Sequence, residues 1–332
     1  MKSEWNDKIF RINEQDRDEL TLEIFRFQYQ HTTIYRQYVD ALGIDPHSVN
    51  RINDIPFLPI RFFKSHAVQA GVFEPALIFE SSGTTGSINS RHLVKDAGLY
   101  EESFTLGFER FYGPVPNWCI IGLLPSYLER QNSSLVYMVN KLIRLSGHPQ
   151  SGFYLNEYEK LANVLSALEK KAQPTLLIGV TFGLLDFAES RNLPVLRHTT
   201  VTETGGMKGR RKELVRQEVH DLLSEAFKTQ HIHSEYGMTE LLSQAYSKGN
   251  GLFSCPPWMQ VLVRDEADPL SILQPAENRP VTGAVNIIDL ANVHSCSFIA
   301  TDDAAKVYPD GSFEILGRLD NSDIRGCSLM AV

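Results

Sequence analysis

Short apolar runs of strand length recur along this chain with helical stretches between them, and that alternation does most to restrict the folds open to it. ALIFE at 76–80, WCIIGLL at 118–124 and TLLIGV at 175–180 read as buried strands bounded by polar or turn residues. Around Ala97 to Phe111, Tyr158 to Lys171 and Arg211 to Phe227, apolar residues instead fall at helical spacing. Such alternation predicts an α/β sandwich of layered sheets and helices. VLVRDE, GAVNIIDL and CSFIA then read as strands of an antiparallel carboxyl-terminal section. Ahead of all this, Glu14 to about Leu42 is helical, with Leu20, Ile24 and Phe27 on one stripe that Phe25 and Tyr29 widen. Ile55 to Ile60 is an extended connector, because Pro56 and Pro59 each remove a donor and restrict the residue before them. We expect a helical subregion over 1–75, an α/β core over 76–326 and a short tail over 327–332.

The composition is that of a folding chain: 42% apolar and 22% charged among 332 residues. A formal net charge of −8 argues against nucleic acid held on a broad basic surface. The longest apolar stretch, about Thr175 to Ala188, is short of the roughly 20 residues that span a bilayer. The start, MKSEWNDKIF, lacks the cationic and apolar regions of a secretory signal, so the expected compartment is cytoplasmic. Cys119, Cys255, Cys296 and Cys327 are scattered, without zinc or disulfide spacing. His231 and His233 would share one face of a strand, but no third ligand has the spacing of a zinc site; His66, His92 and His198 do not supply it.

Four segments carry chemistry. Ser81, Ser82, Gly83, Thr84, Thr85 and Gly86 follow a strand, and their open backbone donors and hydroxyls suit a polyphosphate. The loop lacks the GK[ST] ending of a P-loop, and in isolation it is equally a polar turn. In Tyr236-Gly237-Met238-Thr239-Glu240, a tyrosine can stack on a base, a threonine bond a phosphate and a glutamate hold Mg2+. The bland alternative is a strand-to-helix turn capped by Thr239. Thr301-Asp302-Asp303 offers carboxylates for ribose hydroxyls, and Gly317-Arg318-Leu319-Asp320 an arginine for phosphate, beside a hairpin at Pro309-Asp310-Gly311. Acidic hairpin ends are common, so each is weak alone.

In this order, SSGTTG, YGMTE, TDD and GRLDNSDIRG resemble the motif series of the adenylate-forming superfamily, and most closely its LuxE-type acyl-protein synthetases. PFLPIRFFK, LLPSYLERQNSSLVYMV, ETGGMKGR and NSDIRGC add to the resemblance, which runs from Ile55 to Cys327. It implies the large amino-terminal domain of the acyl-CoA synthetase-like fold and use of ATP with Mg2+. It also implies that Ser81 to Gly86 cover the β- and γ-phosphates, while Tyr236, Thr239 and Glu240 meet adenine, α-phosphate and magnesium. Asp303 would take the ribose, with Asp302 where the family usually has glycine. Arg318 would reach ribose or phosphate, and Gly205 and Gly206 would approach the adenine and the carboxylate.

The superfamily's usual small carboxyl-terminal domain, with its lysine, has no counterpart in this sequence, a truncation that LuxE-type proteins share. Charge stabilisation would then fall to magnesium, the loop and a cation such as Arg91, Lys208 or Arg210. The resemblance further makes Cys327 the acyl acceptor. Arg325 beside it favours a thiolate, whereas a cysteine taken at random is more often buried and inert. The expected reaction joins a carboxylic acid, of fatty-acid type by the resemblance, to a protein thiol through an acyl-adenylate, with a reductase or acyltransferase as partner. LLPSYLERQNSSLVYMV and TLLIGVTFGLL are the candidate walls of the acyl pocket, and equally candidate core. An acyl- or aryl-CoA or carrier-protein ligase, and a non-catalytic nucleotide-binding homologue, remain the alternatives.

Overall fold

In the computed structural model, residues 4–81, 88–124, 132–190, 193–205, 214–277 and 279–319 are described. The amino-terminal helical pattern resolves into α1 (Glu4–Phe10), α2 (Arg17–His31) and α3 (Thr33–Ala41). The helical stretch from Glu14 is interrupted at Thr32, which is extended and donates its hydroxyl to the Ser295 carbonyl at 3.1 Å. The proline-bounded connector contains β1 (Leu58–Pro59), which runs parallel to a distant strand, and leads to α4 (Phe62–Ser65). β2 (Leu77–Glu80) and β3 (Arg91–Val94) form a separate antiparallel hairpin.

From there strands and helices alternate. α5 (Ala97–Tyr112) opens with the Asp96 carboxylate accepting from the Gly98 amide and closes at Gly113, whose φ of +82° suits a residue without a side chain. There follow β4 (Cys119–Leu123), α6 (Ser134–Ser146), β5 (Gly152–Phe153), α7 (Tyr158–Lys170) and β6 (Thr175–Gly179). Next come α8 (Thr181–Ala188), β7 (Thr199–Glu203), α9 (Arg216–Phe227) and β8 (His233–Tyr236). The remainder is β9 (Ala245–Ser247), β10 (Leu252–Ser254), β11 (Met259–Arg264), β12 (Ile272–Leu273), β13 (Val281–Asp289), β14 (Phe298–Val307) and β15 (Phe313–Arg318).

One sheet gathers nearly all of these in the order β12-β11-β13-β14-β15-β10-β9-β8-β7-β6-β4-β5, with β1 added beside β14. From β5 to β8 it is parallel; from β8 to β12 each neighbour is antiparallel. β4 and β6 are buried along their whole length, as expected of parallel strands with helices on both faces. Their side chains alternate between two cores. Ile120, Leu176 and Ile178 join the aromatic core with Phe104 and Phe108, while Ile121 and Leu177 join the one with Leu165 and Phe227.

The antiparallel half is strongly curled. Tyr236 on β8 and Asp303 on β14 are four strand spacings apart along the sheet, about 19 Å if it were flat. Yet the Tyr236 hydroxyl donates to Asp303 Oδ2 at 2.8 Å. The inside of the curl is filled by the Tyr236, Phe253 and Phe313 rings, whose centroids stand 5.4 to 6.0 Å apart. Among the described residues no helix is long and apolar enough to cross a membrane.

Candidate active site

The β2–β3 hairpin is tied off at its loop end. The Ser81 amide donates to the Ser90 carbonyl at 3.1 Å, and the Ser90 amide to Ser81 Oγ at 2.9 Å. The Ser/Gly/Thr run lies between these two residues; Ser82, Gly83, Thr84, Thr85 and Gly86 fall outside the described residues. Ser90 also donates its hydroxyl to Glu240 Oε1, so the neck of the first motif is bonded to the carboxylate of the second.

Glu240 sits in a turn rather than a helix: after β8 the chain bends, with the Leu241 amide on the Met238 carbonyl, and returns as β9. Thr239 therefore caps no helix. The turn is held from beneath. The His92 Nδ1 proton is donated to the Thr239 carbonyl at 2.8 Å, and Asn292 Nδ2 to the Glu240 carbonyl at 2.7 Å. Asp289 accepts the amides of Leu242 and Ser243 and the Ser243 hydroxyl. Burial lowers the His92 pKa to about 4, leaving a neutral ring with one donor fixed on that carbonyl. Burial also raises Glu240, against the pull of the Ser90 hydroxyl, its own backbone and the charges of Arg318 and Lys64.

Asp303 and Asp302 part company. The Asp303 side chain is 16% exposed and takes the Tyr236 hydroxyl, with Arg318 Nε 3.7 Å from its other oxygen. Asp302 is half exposed and lies 3.8 Å from Arg61. Burial raises the Asp303 pKa, partly offset by Tyr236 and Arg318. At the end of β7, Glu203 accepts the Gly205 amide at 2.7 Å and the Thr181 hydroxyl at 3.1 Å. Burial alone would raise its pKa, but His220, Arg216, the Gly205 amide and Ser234 hold it at about 2. Gly205 has φ +72°; Gly206 lies outside the described residues.

A cavity of about 450 Å³ joins these groups, with Ser81, Thr239, Glu240, Asp303 and Arg318 all on its wall. Tyr236 is not on that wall: its ring belongs to the core, and its hydroxyl orients Asp303. Gly205 is also off the wall, next to Thr204, which is on it. Arg91 stands 3.9 Å from Glu80 on the hairpin and does not line the cavity. Arg61 and Lys64, from PFLPIRFFK, join Arg318 as cations that do; Lys208 and Arg210 fall outside the described residues.

Leu135 and Met138 of the first proposed acyl-pocket stretch reach the cavity, but none of TLLIGVTFGLL does: β6 lies in the middle of the parallel strands, and the side chains of β6 and of the start of α8 pack into the two cores. Ser90, Glu235 and Gln244 are wall residues that motif reading missed. Ser90 was marked only by standing where the polar loop rejoins a strand.

Cys119 and Cys296 are buried and Cys255 is half-buried. Burial pushes their thiols up to about 11, 12 and 12 respectively, away from thiolate chemistry. Cys327 lies outside the described residues. Among the described residues no cluster of three His, Cys, Asp or Glu side chains could hold a metal ion.

The model of the family described as acyl-protein synthetase, LuxE, matches residues 8–331. The chain belongs to this LuxE family. Over 74 residues it is 36% identical to the long-chain-fatty-acid–luciferin-component ligase of Photorhabdus luminescens, an overlap of 22% of this LuxE-family chain and 63% of that relative. Among solved structures, ATP-bound MatB from Rhodopseudomonas palustris matches with a TM-score of 0.54 and 19% identity over 75% of this chain and 50% of that one. A long-chain-fatty-acid–CoA ligase from Archaeoglobus fulgidus matches with a TM-score of 0.50 and 15% identity over 74% and 52%. The LuxE-family chain thus has the adenylate-forming fold, and it spans about half the length of these solved relatives.

Proposed function

We propose that this chain is an ATP-dependent acyl-protein synthetase. It activates a carboxylic acid as an acyl-adenylate and transfers the acyl group to Cys327. The observation that supports this best is the junction at Ser90, which joins the neck of the Ser81–Gly86 loop to Glu240 in the cavity that also holds Asp303 and Arg318. In the first half-reaction a substrate carboxylate oxygen attacks the α-phosphorus of ATP and pyrophosphate leaves. In the second the Cys327 thiolate attacks the acyl carbon and AMP leaves.

The wall suits a magnesium nucleotide. A polyphosphate supplies most of the magnesium ligands and needs only one or two carboxylates from protein, which Glu240 provides. When bound, the ion neutralises phosphate charge. Arg61, Lys64 and Arg318 carry the remaining positive charge, Thr239 offers a hydroxyl to the α-phosphate and Asp303, set by Tyr236, accepts the ribose hydroxyls. Tyr236 serves the nucleotide through its hydroxyl on Asp303 rather than by stacking on the base, since its ring belongs to the core. A fatty acid is the substrate suggested by the Photorhabdus relative's name, and an acyl-accepting reductase or acyltransferase is the partner that a thioester on Cys327 would serve.

The test is mass spectrometry after incubation with ATP, Mg2+ and an acid. The protein should gain one acyl mass, labile to hydroxylamine and mapping to Cys327. Cys327→Ser should lose that label, and Glu240→Gln should lose acid-dependent exchange of pyrophosphate into ATP as well. Efficient acylation of free coenzyme A with Cys327 unmodified would make the chain a CoA ligase instead. Absence of exchange with every acid would leave only nucleotide binding.

A further inference from the structure

One carboxyl on the cavity wall has no part in the scheme above. Glu235 is on β8, 9% exposed, and no described residue donates a hydrogen bond to it. Burial, together with the nearby Glu203 charge, raises its pKa to about 8, and among the described residues no cation contributes to its environment in the way Arg318 and Lys64 do for Glu240. It is therefore a protonated carboxyl near neutrality, with one O–H to give and lone pairs to receive.

Gln244 is beside it on the same wall, 5% exposed, and its Oε1 is buried without a hydrogen-bond partner. Both flank Gly237: a Cβ there would meet Glu235 Oε1 at 2.4 Å and Gln244 Cγ at 3.3 Å. A buried acceptor left unmatched costs about 1–3 kcal/mol, so Gln244 Oε1, on a cavity wall beside a carboxyl to which no described residue donates, marks where a ligand's polar group belongs. Apolar Leu135 and Met138 complete this part of the wall. No cation among the described residues enters the electrostatic surroundings of Glu235.

We propose that Glu235 and Gln244 recognise a hydroxyl group on the acyl substrate, so that the preferred acid is a hydroxylated one rather than a plain hydrocarbon chain. A hydroxyl donates to Gln244 Oε1 or to the Glu235 carbonyl oxygen and accepts the Glu235 proton, satisfying both side chains at once. This rests on the acyl-adenylate reading and names the substrate class of that site.

The experiment is acid-dependent pyrophosphate exchange with matched pairs: octanoate against hydroxyoctanoates with the hydroxyl walked along the chain, and benzoate against the hydroxybenzoates. The wild-type kcat/KM should favour the best hydroxylated acid by at least about 10-fold over its plain counterpart. Glu235→Leu should reverse that preference by improving the plain acid, with the KM for ATP unmoved. Glu235→Gln, which keeps a donor and an acceptor, should retain part of it. A wild-type preference for octanoate and benzoate over all their hydroxylated forms would overturn the proposal. So would a Glu235→Leu effect confined to the KM for ATP, which would turn the carboxyl toward the nucleotide. Exchange with none of the acids would remove the acyl-adenylate reading itself, and this inference with it.

Discussion

Glu240 and Ser90 belong to one hydrogen bond but to different levels of legibility. Glu240 stood out in YGMTE because a glutamate there can hold magnesium and the motif falls in order with SSGTTG, TDD and GRLD, although alone it reads equally as a capped turn. Ser90 became visible only through the β2–β3 register, which pairs Glu80 with Arg91 and brings Ser81 and Ser90 together. The Ser90 hydroxyl lowers the Glu240 pKa against burial. Ser90→Ala should therefore raise it and shift the acid limb of the exchange pH profile to higher pH, with activity less affected well above that limb. Glu240→Gln, in which the amide can still accept from Ser90, should keep the fold while exchange falls at least about 100-fold, the scale of losing one preorganised contact to a transition state. Circular dichroism and the exchange rate together check this. Asp303 was ambiguous beside Asp302 from sequence alone; what separates them is Tyr236, more than sixty residues away, which no local pattern encodes.

Elements were more legible than residues, and where the reading slipped the cause was long-range. β4, β6, α5 and α7 fall where the apolar periods put them, since burial on one or two faces dictates those periods directly. The helical pattern over Glu14 to Leu42 does not show the interruption at Thr32, whose hydroxyl goes to the Ser295 carbonyl, a partner no local propensity announces. TLLIGVTFGLL reads equally as core or pocket wall, and only the packing of β6 and α8 into the two cores decides. β8 carries its own pH signature. With Glu235 at about 8 in the folded chain against an ordinary 4.5, the unfolded state ionises first as pH rises. The stability that a neutral Glu235 preserves is full below about pH 4.5 and is lost as pH rises toward 8, at up to about 1.4 kcal/mol per pH unit. Glu235→Gln should flatten that part of a urea-denaturation pH series. Glu203 acts in the opposite sense and in another window: its lowered pKa stabilises above about 4.5, and that contribution fades as pH falls toward 2.

Across the whole molecule the amino-terminal helices are fastened to the site by a buried amide. Gln28 on α2 donates to the carbonyls of Asn292 and Val293 and to Ser297 Oγ, and accepts the Ser297 amide at 2.9 Å. Asn292 in turn holds the Glu240 carbonyl. Gln28→Ala leaves these groups buried and unmatched, and should lower the stability by about 2–4 kcal/mol, read as a reduced urea midpoint. The curl of the sheet has a kinetic meaning too. Tyr236 and Asp303 are linked through β9, β10 and β15, and because the β10–β15 pairing joins segments far apart in sequence, the carboxylate is expected to acquire its setting late in folding. Pairings between strands so far apart in sequence are slow to form, because the chain gives up loop entropy before any contact repays it. A half-refolded molecule in which β10 has not yet met β15 would be blind to nucleotide. ATP added during refolding would leave the early phases unchanged and hold back only unfolding, as a wedge driven behind a door already shut.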